Sequence, residues 1–313
     1  MRWAVLSLAL IAASAQAEPP LADQIKQLQA DDARLQTIGF RLTTANAALC
    51  RDVQPVTGLL LTDMRNYARP AAIRAALGLT GDFAVQAAAR GSPAASIGLV
   101  PGAEVLSVEG ETLAALPAAS ANDTKRLGGV QDRIDAALAV RGAVQLGLRD
   151  SAVTVRGVPA CRSRFELVTK GQGALAESRL IQVSRAILGK VPSDDEAAFL
   201  IAHELAHIIL RHRARLAALG RRTASIRETE READRLAPWL MANAGYDAAQ
   251  SPESLRRWGV KGLAGLLQEP SHDRTQTRAR MVALELAVIQ QTATDATGRR
   301  DWRSRFNMAM TLP

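Results

Sequence analysis

The sequence predicts an α+β protein in which a mainly helical domain with a small β-sheet carries an inserted, β-rich module. Alanine and leucine supply most of the 48% hydrophobic residues, whereas aromatic residues make up only 4%, a composition that favours helices. Residues 70–158 break this pattern because they are rich in glycine and in short apolar runs bounded by turns. The chain is therefore divided into an N-terminal part at 18–69, the module at 70–158 and a C-terminal part at 159–313.

Apolar periodicity and end signals predict the individual elements. Residues 18–49 form a helix, and Ser193-Asp194-Asp195-Glu196 is a capping box that opens a second helix running to Leu219, with Gly220 as its stop. Two further helices follow, one over about Ser225–Asn243 with a kink at Pro238 and one after His272. Within the module, a helix is predicted over Asp132–Val140. Strands are predicted at Gly58–Thr62, Phe83–Val85, Val144–Leu148, Val153–Val155, Arg164–Thr169 and Leu180–Leu188.

Residues 1–17 predict a cleaved export signal. Arg2 is followed by an apolar run from Trp3 to Ala13, and Ala15 and Ala17 fit the small-x-small cleavage rule, which places the cut after Ala17. The run is too short to span a bilayer, although an uncleaved anchor is the alternative. No later stretch is long and apolar enough to cross a membrane. The mature protein is therefore expected to be soluble and exported, to the periplasm where the host has one.

The two cysteines and the net charge narrow the classes of protein that fit this sequence. Cys50 and Cys161 flank the module, and an even count in an exported chain predicts one disulfide; two buried thiols are the alternative. The net charge of +8 is scattered over predicted helices without a basic face or an aromatic motif. A nucleic-acid partner is therefore not expected, while weak peripheral contact with an anionic membrane surface stays open.

The stretch from His203 to His207 carries the chemistry. The two histidines are four residues apart on a predicted helix, so both imidazoles share one face and can bind one zinc ion. Glu204 lies beside the first histidine and is placed to act as general base on a zinc-bound water. A buried polar pair without metal is the alternative, but burying these groups in an apolar helix is costly without partners.

A third zinc ligand is expected on the next helix. Glu230 and Asp234 are four residues apart and share a face, so Glu230 is assigned as the ligand. Asp234 is assigned as a support that fixes the tautomer of a ligand histidine. Solvated surface acids are the alternative. Glu232 is expected to point elsewhere, and His212, five residues beyond His207, to be a surface residue.

These motifs resemble the zinc metallopeptidase family that includes HtpX, BepA and the CAAX prenyl protease. The resemblance covers roughly residues 161–290 and rests on 198–207 and on Glu232-Ala233-Asp234-Arg235-Leu236. It implies a zincin-type fold, one Zn²⁺ held by His203, His207 and Glu230, and Glu204 as the catalytic residue. It also implies a catalytic role for His272, which would stabilise the oxyanion or gate the site, with a plain helix-start residue as the alternative. Arg278 would support the site from behind the ligands, and Asp273 stands where the family often has proline.

The module resembles a PDZ domain through the run from Gly91 to Gly110, which contains Gly-Ser-Pro-Ala-Ala and Gly-Leu-Val-Pro-Gly. The resemblance implies a groove that binds peptide C-termini by strand addition. Leu77, Gly78 and Leu79 would form the loop that receives the carboxylate. A β-rich spacer that binds nothing is the alternative.

The leading hypothesis is an exported zinc metalloendopeptidase whose substrates are misfolded or unassembled envelope proteins, with the strand at Leu180–Leu188 holding the substrate extended. The alternative is a periplasmic chaperone or adaptor that uses the PDZ-like groove and has a weak or latent metal site. A purely structural zinc is a third idea, and it needs four protein ligands.

Overall fold

A computed structural model describes residues 20–117, 124–171, 173–260 and 273–306. The predicted export signal and His272 lie outside these residues. The helices are α1 (Leu21–Ala45), α2 (Pro70–Leu77), α3 (Pro93–Ser96), α4 (Lys125–Arg141), α5 (Arg185–Leu188), α6 (Asp194–Ile209), α7 (His212–Leu219), α8 (Thr223–Asn243), α9 (Ser251–Val260) and α10 (Thr275–Gln291). The strands are β1 (Val53–Val56), β2 (Leu59–Asp63), β3 (Phe83–Ala88), β4 (Val105–Val108), β5 (Glu111–Thr112), β6 (Ala143–Leu148), β7 (Ala152–Arg156), β8 (Val158–Cys161), β9 (Arg164–Val168), β10 (Ala174–Glu177) and β11 (Leu180–Ser184).

The larger core lies between helices α1, α6, α8 and α10 and a three-stranded sheet. The sheet has the order β10-β11-β9, in which β9 and β11 are parallel and β10 is antiparallel to β11. Its core includes Leu35 and Ile38 of α1, Phe199 of α6 and Trp239 of α8. The mixed helix and sheet confirm the α+β class.

Helix α1 lies directly on the sheet, and a glycine makes this close approach feasible. A Cβ atom added at Gly39 would stand 2.5 Å from ring atoms of Phe165 in β9, well inside van der Waals contact. The absence of a side chain at Gly39 therefore lets the aromatic ring pack on the helix backbone.

The module has its own core, built from the sheet β5-β4-β6-β7, the pair β2-β3 and helix α4. Strand β2 pairs antiparallel with β3 and contributes Leu61 to this core. The inserted unit therefore takes in residues from 59 onward, earlier than the predicted boundary at residue 70.

A two-stranded ribbon joins the module to the helical core. Strands β1 and β8 pair antiparallel, from Val53 opposite Cys161 to Val56 opposite Val158. Cys50 and Cys161 form a disulfide beside this ribbon, with their Cα atoms 5.5 Å apart, which confirms the predicted bond. The chain thus enters and leaves the module at one covalently closed point.

Two predicted elements differ from the structure. The helix expected to continue to Leu219 ends at Ile209, and α7 begins at His212, because Arg211 adopts a left-handed conformation with φ of 54°. The strand expected over Leu180–Leu188 ends at Ser184, whose side chain accepts a hydrogen bond from the Ile187 N–H at 3.2 Å and caps the short helix α5. Within the described ranges, no helix has the length and apolar character needed to cross a membrane.

Candidate metal centre and cleft

Three side chains from two packed helices bring their ligand atoms together. His203 and His207 lie on α6, one turn apart, and Glu230 comes from α8, which packs against it. His203 Nε2 lies 3.2 Å from His207 Nε2 and 3.3 Å from Glu230 Oε2. His207 Nε2 lies 3.5 Å from Glu230 Oε1. The structure therefore brings the three predicted ligands into one cluster.

The cluster fits a tetrahedral zinc ion. Ligands at the usual zinc–nitrogen and zinc–oxygen distances of about 2.0–2.1 Å stand about 3.3 Å apart along each tetrahedron edge, which matches the observed separations. The three side chains are only 9, 17 and 15% exposed, in the order His203, His207, Glu230. Among the described residues the cluster has three protein ligands, the number typical of catalytic sites that keep one position open.

The electrostatics of the two histidines suit a cation. Burial opposes protonation of His203, but the carboxylates of Asp234 and Glu230 outweigh it and raise its pKa to about 10. The same negative field would stabilise a divalent cation. Burial, together with the neighbouring His203 and His212, lowers the pKa of His207 to about 3, so its imidazole is neutral, the form that binds metals.

Asp234 and Arg278 support the first ligand. His203 Nδ1 lies 3.1 Å from Asp234 Oδ1, close in distance but not aligned as a hydrogen bond. Arg278 of α10 donates to both Asp234 oxygens at 2.6 and 2.7 Å. Burial raises the pKa of Asp234, but Arg278 and His203 lower it to about 2 overall, so the carboxylate is ionised. Its charge at Nδ1 leaves Nε2 of His203 directed at the metal position.

A second support was missed by the sequence analysis. The expectation of a surface position for His212 is wrong, because the residue is 1% exposed and its Nδ1 lies 2.8 Å from His207 Nδ1. Its Nε2 lies 3.1 Å from Glu232 Oε2, and Arg215 also binds this carboxylate. Glu232, which was expected to point elsewhere than Glu230, does lie outside the metal cluster and contacts His212 instead.

The contacts of His212 define a proton arrangement that prepares His207 for metal binding. If His207 carries its proton on Nδ1 and donates to His212 Nδ1, then His212 Nε2–H donates to Glu232. Burial raises the pKa of Glu232, while His212 and Arg215 lower it to about 2, so the acceptor is ionised. The lone pair of His207 Nε2 is then free for the metal. The bend at Arg211, which a continuous-helix reading could not anticipate, turns His212 toward His207.

The metal cluster lies in an open cleft of about 970 Å³. Glu204 lines this cleft beside the ligands, where the sequence analysis placed the general base. Residues Gly173–Arg179 form another wall. Among the described strands, β10 within this wall lies at one edge of its sheet, whereas β11 has β9 and β10 on its two sides. The edge available to an extended substrate is therefore β10, not the predicted strand starting at Leu180.

The remaining predicted residues have different outcomes. The N–H groups of Gly78 and Leu79 donate to Ala75 and Arg74 carbonyls at the end of α2. They cannot receive a peptide carboxylate at the same time, so the predicted carboxylate loop at Leu77, Gly78 and Leu79 is wrong. The reason is that Gly78, at φ 65°, is the left-handed cap of a helix.

Asp273, the residue after His272, is held by hydrogen bonds from a residue of helix α8. Asp273 accepts hydrogen bonds from Arg231 at 2.6 and 3.1 Å. This pairing explains how an aspartate serves where the resembling family often has proline, because it ties the start of the α10 segment to the helix that carries Glu230.

Comparison with known proteins agrees with this site. The model of peptidase family M48 matches residues 171–226, a segment that contains β10, β11 and the whole of α6 and α7. Members of this family are zinc metallopeptidases, so the match supports a metallopeptidase. No curated protein and no solved structure gives a significant match.

Proposed function

We propose that this chain is an exported zinc metalloendopeptidase of the M48 type that cleaves peptide bonds in misfolded or unassembled envelope proteins. The observation that carries the proposal is the cluster of His203, His207 and Glu230, with ligand atoms 3.2–3.5 Å apart, beside Glu204 in an open cleft. A three-ligand site bordering a cleft favours a catalytic metal over a structural one, which would need a fourth protein ligand.

Different residues of the cleft would bind the metal, transfer the proton and orient the ligands. His203, His207 and Glu230 would hold the zinc, which when bound supplies Lewis-acid polarisation of the scissile carbonyl and acidifies the attacking water. A carboxylate oxygen of Glu204 accepts the proton that this water loses as it attacks the carbonyl carbon. Glu204 then delivers that proton to the leaving amine nitrogen as the C–N bond breaks. Asp234 would orient the imidazole of His203, and His212 would orient that of His207.

The substrate would bind in extended form along β10. An edge strand presents unpaired backbone groups, and an added peptide strand can pair with them irrespective of its side chains. Backbone recognition of this kind suits an endopeptidase that acts on many unfolded chains. The disulfide between Cys50 and Cys161 supports export, because such bonds persist in oxidising compartments.

The function is tested with purified wild type and Glu204→Gln. Wild type should contain about one zinc ion per chain and cleave casein, and chelation should stop cleavage. Glu204→Gln should keep its zinc, because Glu204 is not a ligand, and should lose at least about 100-fold in rate, the low end of general-base contributions. Casein cleavage by Glu204→Gln at the wild-type rate would show that the peptidase assignment is wrong.

A second function, peptide binding by the module, is favoured by the free edge of β2. In the described part of the chain β2 pairs with β3 alone, and α4 lies alongside it, with Arg126 of α4 bound to Asp63 at 3.1 Å. We propose that this edge, rather than the Gly78 turn, accepts a peptide C-terminus by strand addition.

Peptide binding is measured on the full-length Glu204→Gln variant, which avoids cleavage. Fluorescence anisotropy with one labelled peptide, carrying a free or an amidated C-terminus, should show tighter binding of the free carboxylate. Equal or absent binding of the two forms would instead favour a spacer role for the module.

A further inference from the structure

The cleft carries more positive than negative charge outside its metal centre. The metal cluster, Glu204 and Arg278, which is bound to Asp234, are left out of this comparison. The other charged residues among the described lining are five arginines and two carboxylates: Arg162, Arg179, Arg211, Arg213 and Arg221, with Asp52 and Glu177. A cleft whose lining carries a net positive charge attracts negatively charged ligands.

The two carboxylates neutralise two of these arginines. Asp52 binds Arg211 at 2.8 Å, and Glu177 binds Arg213. Arg162, Arg179 and Arg221 are exposed, and within the described ranges none of the three has an ion-pair partner. Their charge is therefore available to a ligand in the cleft.

Two of these arginines, Arg162 and Arg179, line the cleft and belong to adjoining backbone segments at one end of β10. Arg179 follows directly after β10 and its turn, and Arg162 precedes β9. The backbones of these segments adjoin, since the Arg164 N–H donates to the Arg179 carbonyl at 2.7 Å. A peptide lying along β10 would therefore pass both guanidinium groups at the same end of the cleft.

We propose that Arg162 and Arg179 select peptide segments that carry aspartate or glutamate where the substrate passes this end of β10. The inference rests on the proposed peptidase function and specifies its substrate class. Guanidinium groups bind carboxylates through paired hydrogen bonds. Backbone pairing along β10 would hold any extended chain, and the arginines would add a preference among such chains.

The preference is tested with two fluorogenic peptides of equal length that carry either Glu or Gln at every position on both sides of the scissile bond, so that one of these residues lies at the end of β10. Exposed ion pairs are weak, so the acidic peptide should show a kcat/KM about 3- to 10-fold higher at low salt. The ratio should fall toward one at about 0.5 M salt, where exposed charges are screened. Equal kcat/KM for both peptides at low salt would overturn the proposal.

Variants assign the preference to the two arginines. Arg162→Gln/Arg179→Gln should lower kcat/KM for the Glu peptide to the value that the same variant shows for the Gln peptide. Arg90→Gln removes an exposed module arginine that does not line the cleft and should leave the preference unchanged. A preference that survives in the double variant would exclude this pair as its source.

A binding measurement separates this inference from the peptidase proposal. The zinc-loaded Glu204→Gln protein should bind the labelled Glu peptide about 3- to 10-fold more tightly than the Gln peptide in anisotropy titrations. If wild type cleaves neither peptide but binding still favours the acidic one, the peptidase proposal fails and the charge selection stands. If both peptides are cleaved and bound equally, the charge selection fails alone.

Discussion

At the scale of single residues, the metal cluster is held from two sides by different chemistry. His203 is backed by an ionised carboxylate, Asp234, which a buried arginine neutralises. His207 is backed by a neutral imidazole, His212, which reaches Glu232. Both supports address the Nδ1 atom of a ligand ring and leave Nε2 for the metal, which explains the small separation of the two Nε2 atoms.

His212 should strengthen zinc binding without being a ligand. His212→Phe keeps a ring in the buried site but removes the acceptor for His207 Nδ1, so zinc affinity should fall about 10- to 100-fold, the usual cost of losing such a contact. Chelator competition measures this directly. His212→Asn can still accept from His207 and should lose less. Zinc affinity of His212→Phe equal to wild type would show that the contact does not orient His207.

The Asp234–Arg278 pair should make a large contribution to stability when one partner is removed. Arg278 is 4% exposed, so Asp234→Asn leaves a buried cation without its counter-ion and should lower the free energy of unfolding by about 3–5 kcal/mol. Urea unfolding of the zinc-free protein measures the change. The double variant Asp234→Asn/Arg278→Met should recover part of the loss, and failure to recover any would point to packing rather than charge.

At the scale of elements, the packing of α1 against the module introduces a buried acid. Asp32 of α1 accepts a hydrogen bond from Gln86 of β3 at 2.7 Å. Its pKa is raised from 3.8 to about 6, mainly by burial and further by the negative charges of Asp31 and Glu166. The hydrogen bond from Gln86 lowers the pKa but does not outweigh burial. Ionisation of Asp32 therefore works against the folded state.

The pH dependence of stability should report this acid. Because the folded pKa is above the unfolded one, the contribution of Asp32 to stability is fully present below pH 3.8 and is lost as the pH rises through about 6. Asp32→Asn, which can still accept from Gln86, should therefore be about 2–3 kcal/mol more stable than wild type at pH 8. Near pH 4 the two proteins should unfold at similar urea concentrations. A pH-independent difference would assign the effect to packing.

Helices were more predictable than the point where one of them bends. The capping box at Ser193 and the apolar run after it predict α6, and Ser193 indeed accepts from the Glu196 N–H at 3.1 Å. The left-handed residue Arg211 carries no glycine or asparagine signal, so the bend was not predicted. Helical spacing no longer applies beyond the bend at Arg211, and for this reason the predicted surface position of His212 is wrong.

At the scale of the whole molecule, the module is joined to the helical core by a two-stranded ribbon that a disulfide closes. The β1–β8 ribbon and the Cys50–Cys161 bond close a loop with a sequence separation of 111. Asp52 on this connection also binds Arg211 at 2.8 Å, beside the bend that precedes His212. The connection therefore contacts the wall of the cleft itself.

Removal of the disulfide should lower stability without abolishing the metal centre. Cys50→Ser/Cys161→Ser should lower the free energy of unfolding by about 2–4 kcal/mol, the usual range for a native bond. Urea unfolding tests this, with reduced wild type as the matched control. Zinc affinity should stay close to wild type, since neither cysteine contacts the cluster. Unchanged stability would mean that the β1–β8 ribbon alone holds the connection.

The sequence by itself predicted the candidate ligand set, the α+β class and the disulfide. Residues four apart on a helix share a face whatever surrounds them, so His203 could be paired with His207, and Glu230 with Asp234, from local geometry. That α8 brings the second pair to the first is a contact between two helices. Tertiary structure alone decided that His212 and Glu232 form a second support, that β10 is the edge strand, and that β2 belongs to the module. Each of these depends on contacts between segments distant in the chain or on a backbone bend, and no local pattern of side chains encodes them.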